Sequence, residues 1–200
     1  MKNSNFPFSA LLSRMKYIGR WGLMRSSRPE NLAEHTAEAA ILAHTLACIA
    51  RDICGDTQIR PETVAVAALY HDAGEIMTGD MPTPVKYKNE ELKRAYKKLE
   101  HESAERLVEL LPQELHGTMG PEVTGDVLTP HEKAYLKAAD RISALAKCLE
   151  EEASGNTEFA SAKAQQIRLL QEMDLPAVNY FLQHMLPCYL QNLDELTLGF

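Results

Sequence analysis

The chain has 200 residues, a length typical of one domain that buries a substantial core. Apolar residues make up 45% and charged residues 24%, and the net charge of −7 argues against a nucleic-acid polymer as partner, because such partners select basic surfaces. No segment approaches the ~20 consecutive apolar residues that span a membrane, and the N-terminal segment lacks the apolar stretch of a signal peptide.

The first predicted helix carries five apolar side chains on one face, namely Phe8, Leu11, Leu12, Met15 and Ile18. Residues 19–29 interrupt the pattern and contain three arginines and the only tryptophan. Asn31 and Glu34 have the spacing of a capping box, so a second helix is predicted from there to about Arg51. His35 lies on its apolar face.

Pro61 is well placed as the first residue of a third predicted helix. Val64 and His71 belong to its inward face, and Glu75 continues that line. Asp72 lies ~100° around the helix from His71, at the edge of the apolar face. The third helix is therefore predicted to present an imidazole and two carboxylates on one side.

Residues 78–87 and 112–130 are rich in glycine and proline and are predicted to be loops. A helix is predicted between them, from about Asn89 to Leu111. Three more helices are predicted over residues 131–152, 157–173 and 176–193, and no stretch alternates as a strand would. The sequence thus predicts an all-α fold in which residues 1–200 form a single domain.

The four cysteines are Cys48, Cys54, Cys148 and Cys188, and no two of them form a C-x-x-C pair. We interpret them as reduced thiols, most of them in the core. Together with the lack of a signal peptide, this predicts a cytoplasmic protein.

Two histidines and two aspartates are candidate metal ligands: His35, His71, Asp72 and Asp140. Such a mixed set suits one borderline divalent ion (manganese, cobalt, iron, nickel or zinc), whereas calcium and magnesium prefer all-oxygen ligands. The alternative is that the histidines are core residues bonded to backbone carbonyls and that the aspartates pair with arginines such as Arg141. Buried carboxylates need a partner of one kind or the other.

Glu75 follows Asp72 by three residues and His71 by four, so all three can point to one neighbourhood. A carboxylate beside a metal-activated water can act as a general base or orient that water. The alternative interpretation is a solvated glutamate at the end of a helix.

The order His35, His71-Asp72, Asp140 matches the H…HD…D signature of HD-domain metal-dependent phosphohydrolases. The surrounding segments are more specific: RWGLMR from residue 20, YHDAGEIMTGDMPTPVKY from residue 70, KAAD from residue 137 and KCLEE from residue 147. They resemble the bacterial HD-domain 5'-deoxynucleotidases over most of the chain. The similarity weakens in residues 112–130 and at the C-terminus.

The resemblance implies a single-domain HD-type helical bundle that hydrolyses deoxyribonucleoside 5'-monophosphates to deoxynucleoside and phosphate. It also implies a cytoplasmic homodimer with one bound divalent metal, whose ligands match His35, His71, Asp72 and Asp140. The implied catalytic residues are Glu75 and Arg20. The implied substrate contacts are Arg20, Trp21, Asp72, Asp80, Met81, Pro82, Thr83 and Asp140.

The side-chain chemistry agrees with these roles. The guanidinium of Arg20 is a planar fork suited to phosphate. Trp21 could form the wall that excludes a ribose 2'-hydroxyl, and Asp80 could accept a hydrogen bond from the sugar 3'-hydroxyl. The alternatives are a surface arginine, a core tryptophan and an aspartate that only shapes a turn.

Two other functions remain open from the sequence. The same HD site could act on a nucleoside di- or triphosphate or on an alarmone. Alternatively, the scaffold could be a non-catalytic nucleotide-binding module, although the intact His35, His71, Asp72, Glu75 and Asp140 favour an enzyme.

Overall fold

The structure is a computed structural model that describes residues 5–86 and 88–197, except the side chains of residues 83 and 84. Within these residues there is no strand, only one isolated antiparallel bridge between Gly19 and Asn31, so the predicted all-α fold is confirmed. The helices are α1 Phe8–Leu12, α2 Leu32–Cys48, α3 Pro61–Ala68, α4 Glu75–Thr78, α5 Thr83–Lys86, α6 Glu90–Glu109, α7 Gln113–Thr124, α8 Pro130–Ala153, α9 Ala160–Gln171, α10 Pro176–His184 and α11 Leu193–Thr197. Short 3₁₀ turns cover Ser13–Tyr17, Thr157–Phe159 and Leu186–Leu190, and a π-type turn covers Ile49–Ile53.

Helix α2 lies at the centre and packs against α3 and α8. These three helices supply most of the larger apolar cluster, in which Leu46, Ile142 and Leu145 are fully buried. Burial of each such side chain contributes roughly 1.5–3 kcal/mol relative to exposure. A second cluster joins α1, α6 and α7 around Leu107. Helices α2 and α8 therefore lie against each other in the core. None of the helices in the described part of the chain has the length and hydropathy needed to cross a bilayer.

The predicted capping box at the start of α2 is confirmed. Asn31 Oδ1 accepts hydrogen bonds from the backbone N–H of Ala33 (3.0 Å) and Glu34 (3.1 Å). In return, Glu34 Oε2 accepts from the backbone N–H of Asn31 at 3.2 Å. The reciprocal pair satisfies N–H groups that have no partner inside the helix. It fixes the first turn of α2, and with it the position of His35.

The prediction of a loop over residues 112–130 was wrong, because Gln113–Thr124 forms α7. Glycine and proline have low intrinsic helix propensity, and the expectation rested on that property. In the structure α7 packs against α6, and tertiary packing overrides the propensity. Gly125 then ends the helix in the left-handed conformation, with φ 74°.

The prediction that the third helix carries His71 and Asp72 was also wrong. Helix α3 ends at Ala68, and residues 69–74 form consecutive turns. At the end of the helix, His71 Nδ1 donates a hydrogen bond to the carbonyl of Ala68 at 2.7 Å, which holds the imidazole against the last turn of α3. The two residues consequently lie in a turn between α3 and α4.

An ion pair between the half-exposed Arg60 and the buried Glu132 holds the start of α3 against the start of α8. Glu132 is 1% exposed and accepts from Arg60 Nε at 2.8 Å and Nη2 at 2.6 Å. It also accepts from the backbone N–H of Thr129 at 2.9 Å. The Arg60 guanidinium, aided by the Thr129 bonds and opposed by burial, lowers the pKa of Glu132 from 4.5 to about 2.

We expect Glu132→Gln to lower the free energy of unfolding at pH 7 by on the order of 2 kcal/mol. A carboxyl group whose pKa is lowered by folding stabilises the protein fully above its unfolded pKa. That contribution is lost as the pH falls from about 4.5 toward about 2. Urea unfolding between pH 7 and pH 3 should therefore show the difference between wild type and variant shrinking with acidification. Glu91→Gln, an exposed change in the first turn of α6, should show no such difference, and a gap independent of pH would contradict the prediction.

Candidate active site

His35 brings helix α2 to the site as a fully buried imidazole. Its Nδ1 is 3.0 Å from Ser143 Oγ on α8. Its Nε2 has no hydrogen-bond partner and lies 3.5 Å from Asp72 Oδ2 and 3.3 Å from Asp140 Oδ1. A buried nitrogen atom that faces two carboxylates in this way is placed to receive a cation.

His71 presents its Nε2 to the same point. Its Nδ1 donates to the Ala68 carbonyl, and its Nε2, which has no hydrogen-bond partner, lies 3.2 Å from Asp72 Oδ2. One ligand atom from each of His35, His71 and Asp72 lies within 4.8 Å of the others. The alternative, in which the histidines are core residues bonded to backbone carbonyls, therefore holds only for the Nδ1 atom of His71. Two unpartnered Nε2 atoms beside a carboxylate fit a borderline divalent metal ion.

Asp140 borders this group rather than completing the compact trio. Its Oδ1 faces His35 Nε2, and its Oδ2 accepts from Lys137 Nζ at 2.5 Å. Arg141, the alternative partner considered for the aspartates, donates instead to Gln166 at 3.4 Å. The role of Asp140 as the fourth metal ligand stays a prediction.

The electrostatics of the site are those of charged carboxylates beside imidazoles. Burial lowers the pKa of His71, but Asp72 and Asp140 outweigh it and raise this pKa to about 9. Burial would raise the pKa of Asp72, yet His71 and His35 hold it well below its usual range. Metal binding at such a site displaces protons from the imidazoles, so metal affinity depends on pH.

Glu75 opens helix α4 next to the metal-binding group. Its side chain is 4% exposed, and its Oε2 has no hydrogen-bond partner. Burial, with the charges of Asp72 and Asp80 added, raises the pKa of Glu75 to about 8. Before it, Gly74 is packed so closely that a Cβ atom would lie 3.0 Å from the carbonyl oxygen of Glu100. Glu75 is therefore a group that can hold a proton near neutral pH, as acid–base catalysis requires.

Arg20 and Trp21 are held at the edge of the site by one carboxylate, that of Glu30, which the sequence interpretation missed. Glu30 Oε2 accepts from Arg20 Nε at 3.2 Å and from Trp21 Nε1 at 2.6 Å. Arg20 Nη1 in turn lies 3.7 Å from Asp72 Oδ2. The backbone of Trp21 has a positive φ of 58°. Its ring packs edge-on against the ring of Phe159, with 5.2 Å between the ring centroids. No local spacing rule relates Glu30 to residues nine and ten positions earlier.

The segment after α4 brings Asp80 toward Arg20. Asp80 is partly buried, and its pKa is raised by burial and by Asp72, against the opposing effects of Arg20 and of the Trp21 backbone N–H. Met81 and Pro82 follow it and are also partly buried. Thr83 opens helix α5, and its side chain lies outside the described residues.

Lys86 is a second residue that the sequence interpretation missed. Its Nζ donates to Glu100 Oε1 at 2.6 Å and lies 4.5 Å from the ring centroid of Tyr96. Both partners belong to α6. Lys86 thus anchors the segment after Asp80 to a long helix, and its charge also lowers the pKa of Glu75.

Residues 7–189 match the family model of the YfbR-like 5'-deoxynucleotidases. The chain belongs to this family. A 5'-deoxynucleotidase of Vibrio cholerae is 44% identical over 190 residues, which are 95% of this chain and 97% of the relative. The 5'-deoxynucleotidase YfbR of Salmonella typhi is 42% identical, with 98% of each chain covered. The resemblance predicted from the sequence is confirmed.

Solved structures place this member of the YfbR-like family in the HD-domain fold. An HD-domain phosphohydrolase of Listeria innocua superposes with a TM-score of 0.79 at 22% identity, covering 93% of this chain and 89% of that one. An HD phosphohydrolase of cyanophage S-2L, whose structure contains dA and one catalytic Zn²⁺ ion, superposes with a TM-score of 0.62 at 21% identity, covering 90% and 95%. The predicted HD-type bundle is confirmed.

Proposed function

We propose that the chain hydrolyses deoxyribonucleoside 5'-monophosphates to deoxynucleoside and phosphate with one divalent transition-metal ion. Membership of the YfbR-like 5'-deoxynucleotidases supports the reaction. The observation that carries the mechanism is the convergence of two unpartnered imidazole Nε2 atoms on Asp72, with Glu75 and Arg20 beside them.

In this proposal His35, His71, Asp72 and Asp140 hold the ion, and their mixed nitrogen and oxygen donors suit manganese, cobalt, iron, nickel or zinc. Such an ion supplies charge neutralisation for the phosphoryl group and lowers the pKa of water. Two imidazoles satisfied at Nδ1 and open at Nε2 support the assignment.

Arg20 binds the phosphate and Glu75 transfers a proton in the hydrolysis. The Arg20 guanidinium, held at Nε by Glu30 and with Nη1 3.7 Å from Asp72 Oδ2, is placed to bind phosphate oxygens beside Asp72. Glu75 moves the proton of the hydrolysis, since burial has raised its pKa to about 8. Phosphoryl transfer depends mainly on such positioning and charge stabilisation.

The sugar is held by the rim of the site. We assign substrate contacts to Arg20, Trp21, Asp72, Asp80, Met81, Pro82, Thr83 and Asp140. Trp21, held by Glu30 and packed on Phe159, is a fixed wall where a 2'-hydroxyl would lie. Asp80 accepts a hydrogen bond from the 3'-hydroxyl. Exclusion by a wall gives preference for deoxyribose without contact to the base.

The test is release of inorganic phosphate from paired ribo- and deoxyribonucleoside 5'-monophosphates, with each divalent metal ion supplied in turn. We expect release from the deoxy series with several bases and little from the ribo series. If phosphate were released only from a nucleoside di- or triphosphate or from an alarmone, that compound would be the substrate in place of the monophosphates. Nucleotide binding without turnover under every metal would support the non-catalytic module.

Glu30→Ala tests how Arg20 and Trp21 are held. We expect kcat/KM to fall about 10- to 100-fold, because both side chains lose their shared acceptor while the metal ligands stay intact. Bound metal, measured by elemental analysis, should be unchanged. Glu172→Ala is the control, since Glu172 is an exposed carboxylate that pairs with Arg168 at 3.7 Å on the surface. Equal activity of Glu30→Ala and wild type would refute the role of Glu30.

We also propose that residues 1–200 form one HD domain and that the protein is a cytoplasmic homodimer. The four cysteines are free thiols, which agrees with a reducing compartment. The prediction that most of them lie in the core was wrong, because only Cys148 of the four is buried. Leu190 and Leu193 are 63% and 74% exposed and offer apolar surface for a second copy. Light scattering on the purified protein should give twice the 22.4 kDa mass of the chain. A monomer at micromolar concentration would contradict the dimer.

A further inference from the structure

A hydrogen-bonded chain leads from His35 to a carboxylate that neither the H…HD…D signature nor the proposed mechanism uses. Ser143, fully buried on α8, has its Oγ 3.0 Å from His35 Nδ1 and 2.5 Å from Glu38 Oε2. Glu38 lies one turn after His35 on α2 and is partly buried. The serine therefore joins two residues of one helix across the interface between α2 and α8.

The directions of these hydrogen bonds follow from the last member of the chain. A serine hydroxyl can donate or accept, and so can a neutral imidazole nitrogen, depending on its tautomer. A carboxylate can only accept, so the Ser143 hydroxyl donates to Glu38. The lone pairs left on Ser143 Oγ then accept from His35 Nδ1–H. In the neutral imidazole that binds a metal ion, the lone pair of His35 is consequently on Nε2, the atom that faces Asp72 and Asp140.

His71 reaches the same tautomer by a different route. Its Nδ1 donates to the carbonyl of Ala68, a backbone acceptor that no side-chain substitution removes. His35 has no backbone acceptor at its Nδ1 among its described hydrogen bonds, and Ser143 with Glu38 takes that place. Both imidazoles thus carry the proton on Nδ1, but only in His35 does this tautomer depend on side chains that a substitution can remove.

We propose that Ser143 and Glu38 are positioning residues that set the tautomer and ring orientation of His35 for metal binding. The proposal rests on the proposed function, in which His35 is a metal ligand. Without Glu38, the Ser143 hydroxyl is free to donate to Nδ1, which favours the tautomer with a proton on Nε2. Without Ser143, the Nδ1–H is buried with no acceptor, which disfavours the useful tautomer.

The test is titration of the metal-free full chain with Co²⁺, without nucleotide, followed by the visible absorption of the bound ion. Loss of an outer-shell partner of a metal-bound histidine typically costs 10- to 100-fold in metal affinity. We expect Ser143→Ala and Glu38→Ala each to weaken Co²⁺ binding by about that factor. The double variant should be no weaker than Ser143→Ala, because both changes break one chain of bonds. Unchanged affinity in either single variant, or losses that add, would overturn the proposal.

Two controls separate the hydrogen bond from charge and from folding. Glu150→Ala removes a carboxylate that lines the same surface groove as Glu38, and it should leave Co²⁺ affinity unchanged. Glu38→Gln keeps an oxygen that can accept from Ser143 and should restore most of the affinity; a loss as large as that of Glu38→Ala would refute the assigned bond. Circular dichroism and the Tm of the metal-free variants show that they fold. A wild-type protein that binds Co²⁺ but hydrolyses no deoxyribonucleotide would refute the proposed function and leave this inference standing.

Discussion

Glu75→Gln is expected to lower kcat by about 10²- to 10⁴-fold while leaving bound metal and substrate affinity close to those of wild type. Glutamine keeps the shape of the side chain and can donate a hydrogen bond as a neutral carboxyl group does, but it cannot take up or release a proton. Glu75 is buried and its Oε2 has no hydrogen-bond partner, so the substitution breaks no hydrogen bond of that atom within the described residues. Steady-state kinetics with a deoxyribonucleoside monophosphate and elemental analysis of the metal give the two readouts.

The comparison of kcat with KM decides what Glu75 does. A fall in kcat at constant KM indicates a group that acts in the transition state, whereas a rise in KM alone indicates a binding contact. Glu109→Gln, on the exposed side of α6, should behave as wild type in both parameters. Full turnover by Glu75→Gln with metal bound would remove Glu75 from proton transfer and leave it, at most, a hydrogen-bond donor.

The parts of the fold that could be predicted are those set by neighbours in sequence. The capping box of Asn31 and Glu34 works within one helical turn, so spacing alone revealed it. The stripe that buries His35 repeats with the helical period for the same reason. Helix α7 could not be found in this way, because its glycines and prolines disfavour a helix and its packing on α6 and α3 stabilises one.

In the site, too, residues set by local sequence could be predicted and contacts set by packing could not. His35, His71 and Asp72 were identifiable by residue type, order and resemblance, and the structure brings their ligand atoms together. Glu30 and Ser143 were not identified as partners, because what matters is the side chain each one meets. Ser143 bonds a residue 108 positions away, and Glu30 acts across a loop of irregular backbone. Such contacts depend on how whole helices pack, which no local pattern of residues encodes.

The turn that carries His71 and Asp72 combines both effects. Helical periodicity runs through residue 75, yet α3 ends at Ala68, and His71 Nδ1 donates a hydrogen bond to the carbonyl of that residue. The same bond leaves His71 Nε2 open toward Asp72. The departure from the predicted helix therefore occurs where the chemistry needs it, and a regular α3 would have separated the two side chains by ~100° around the helix axis.

Asp72→Asn is expected to weaken metal binding by more than about 100-fold, since it removes a ligand rather than an outer-shell partner. Asp72 is the one carboxylate in the compact trio of described residues, with its Oδ2 3.2 Å from His71 Nε2 and 3.5 Å from His35 Nε2. Asparagine keeps the size but loses the charge that attracts a cation. Competition for the ion against a chelator of known affinity measures the loss.

The control for this change is Asp52→Asn, which removes the same charge from an exposed ion pair with Arg51 and should leave metal affinity unaltered. A second consequence separates ligand loss from general damage. Asp72 holds Arg20 Nη1 at 3.7 Å and raises the pKa of His71, so the metal-free variant should have a His71 pKa below about 9 when followed by NMR. Because the buried carboxylate is then gone, the neutral imidazole is favoured by burial. An Asp72→Asn protein with full metal content and an unshifted His71 would show that the ion is held elsewhere.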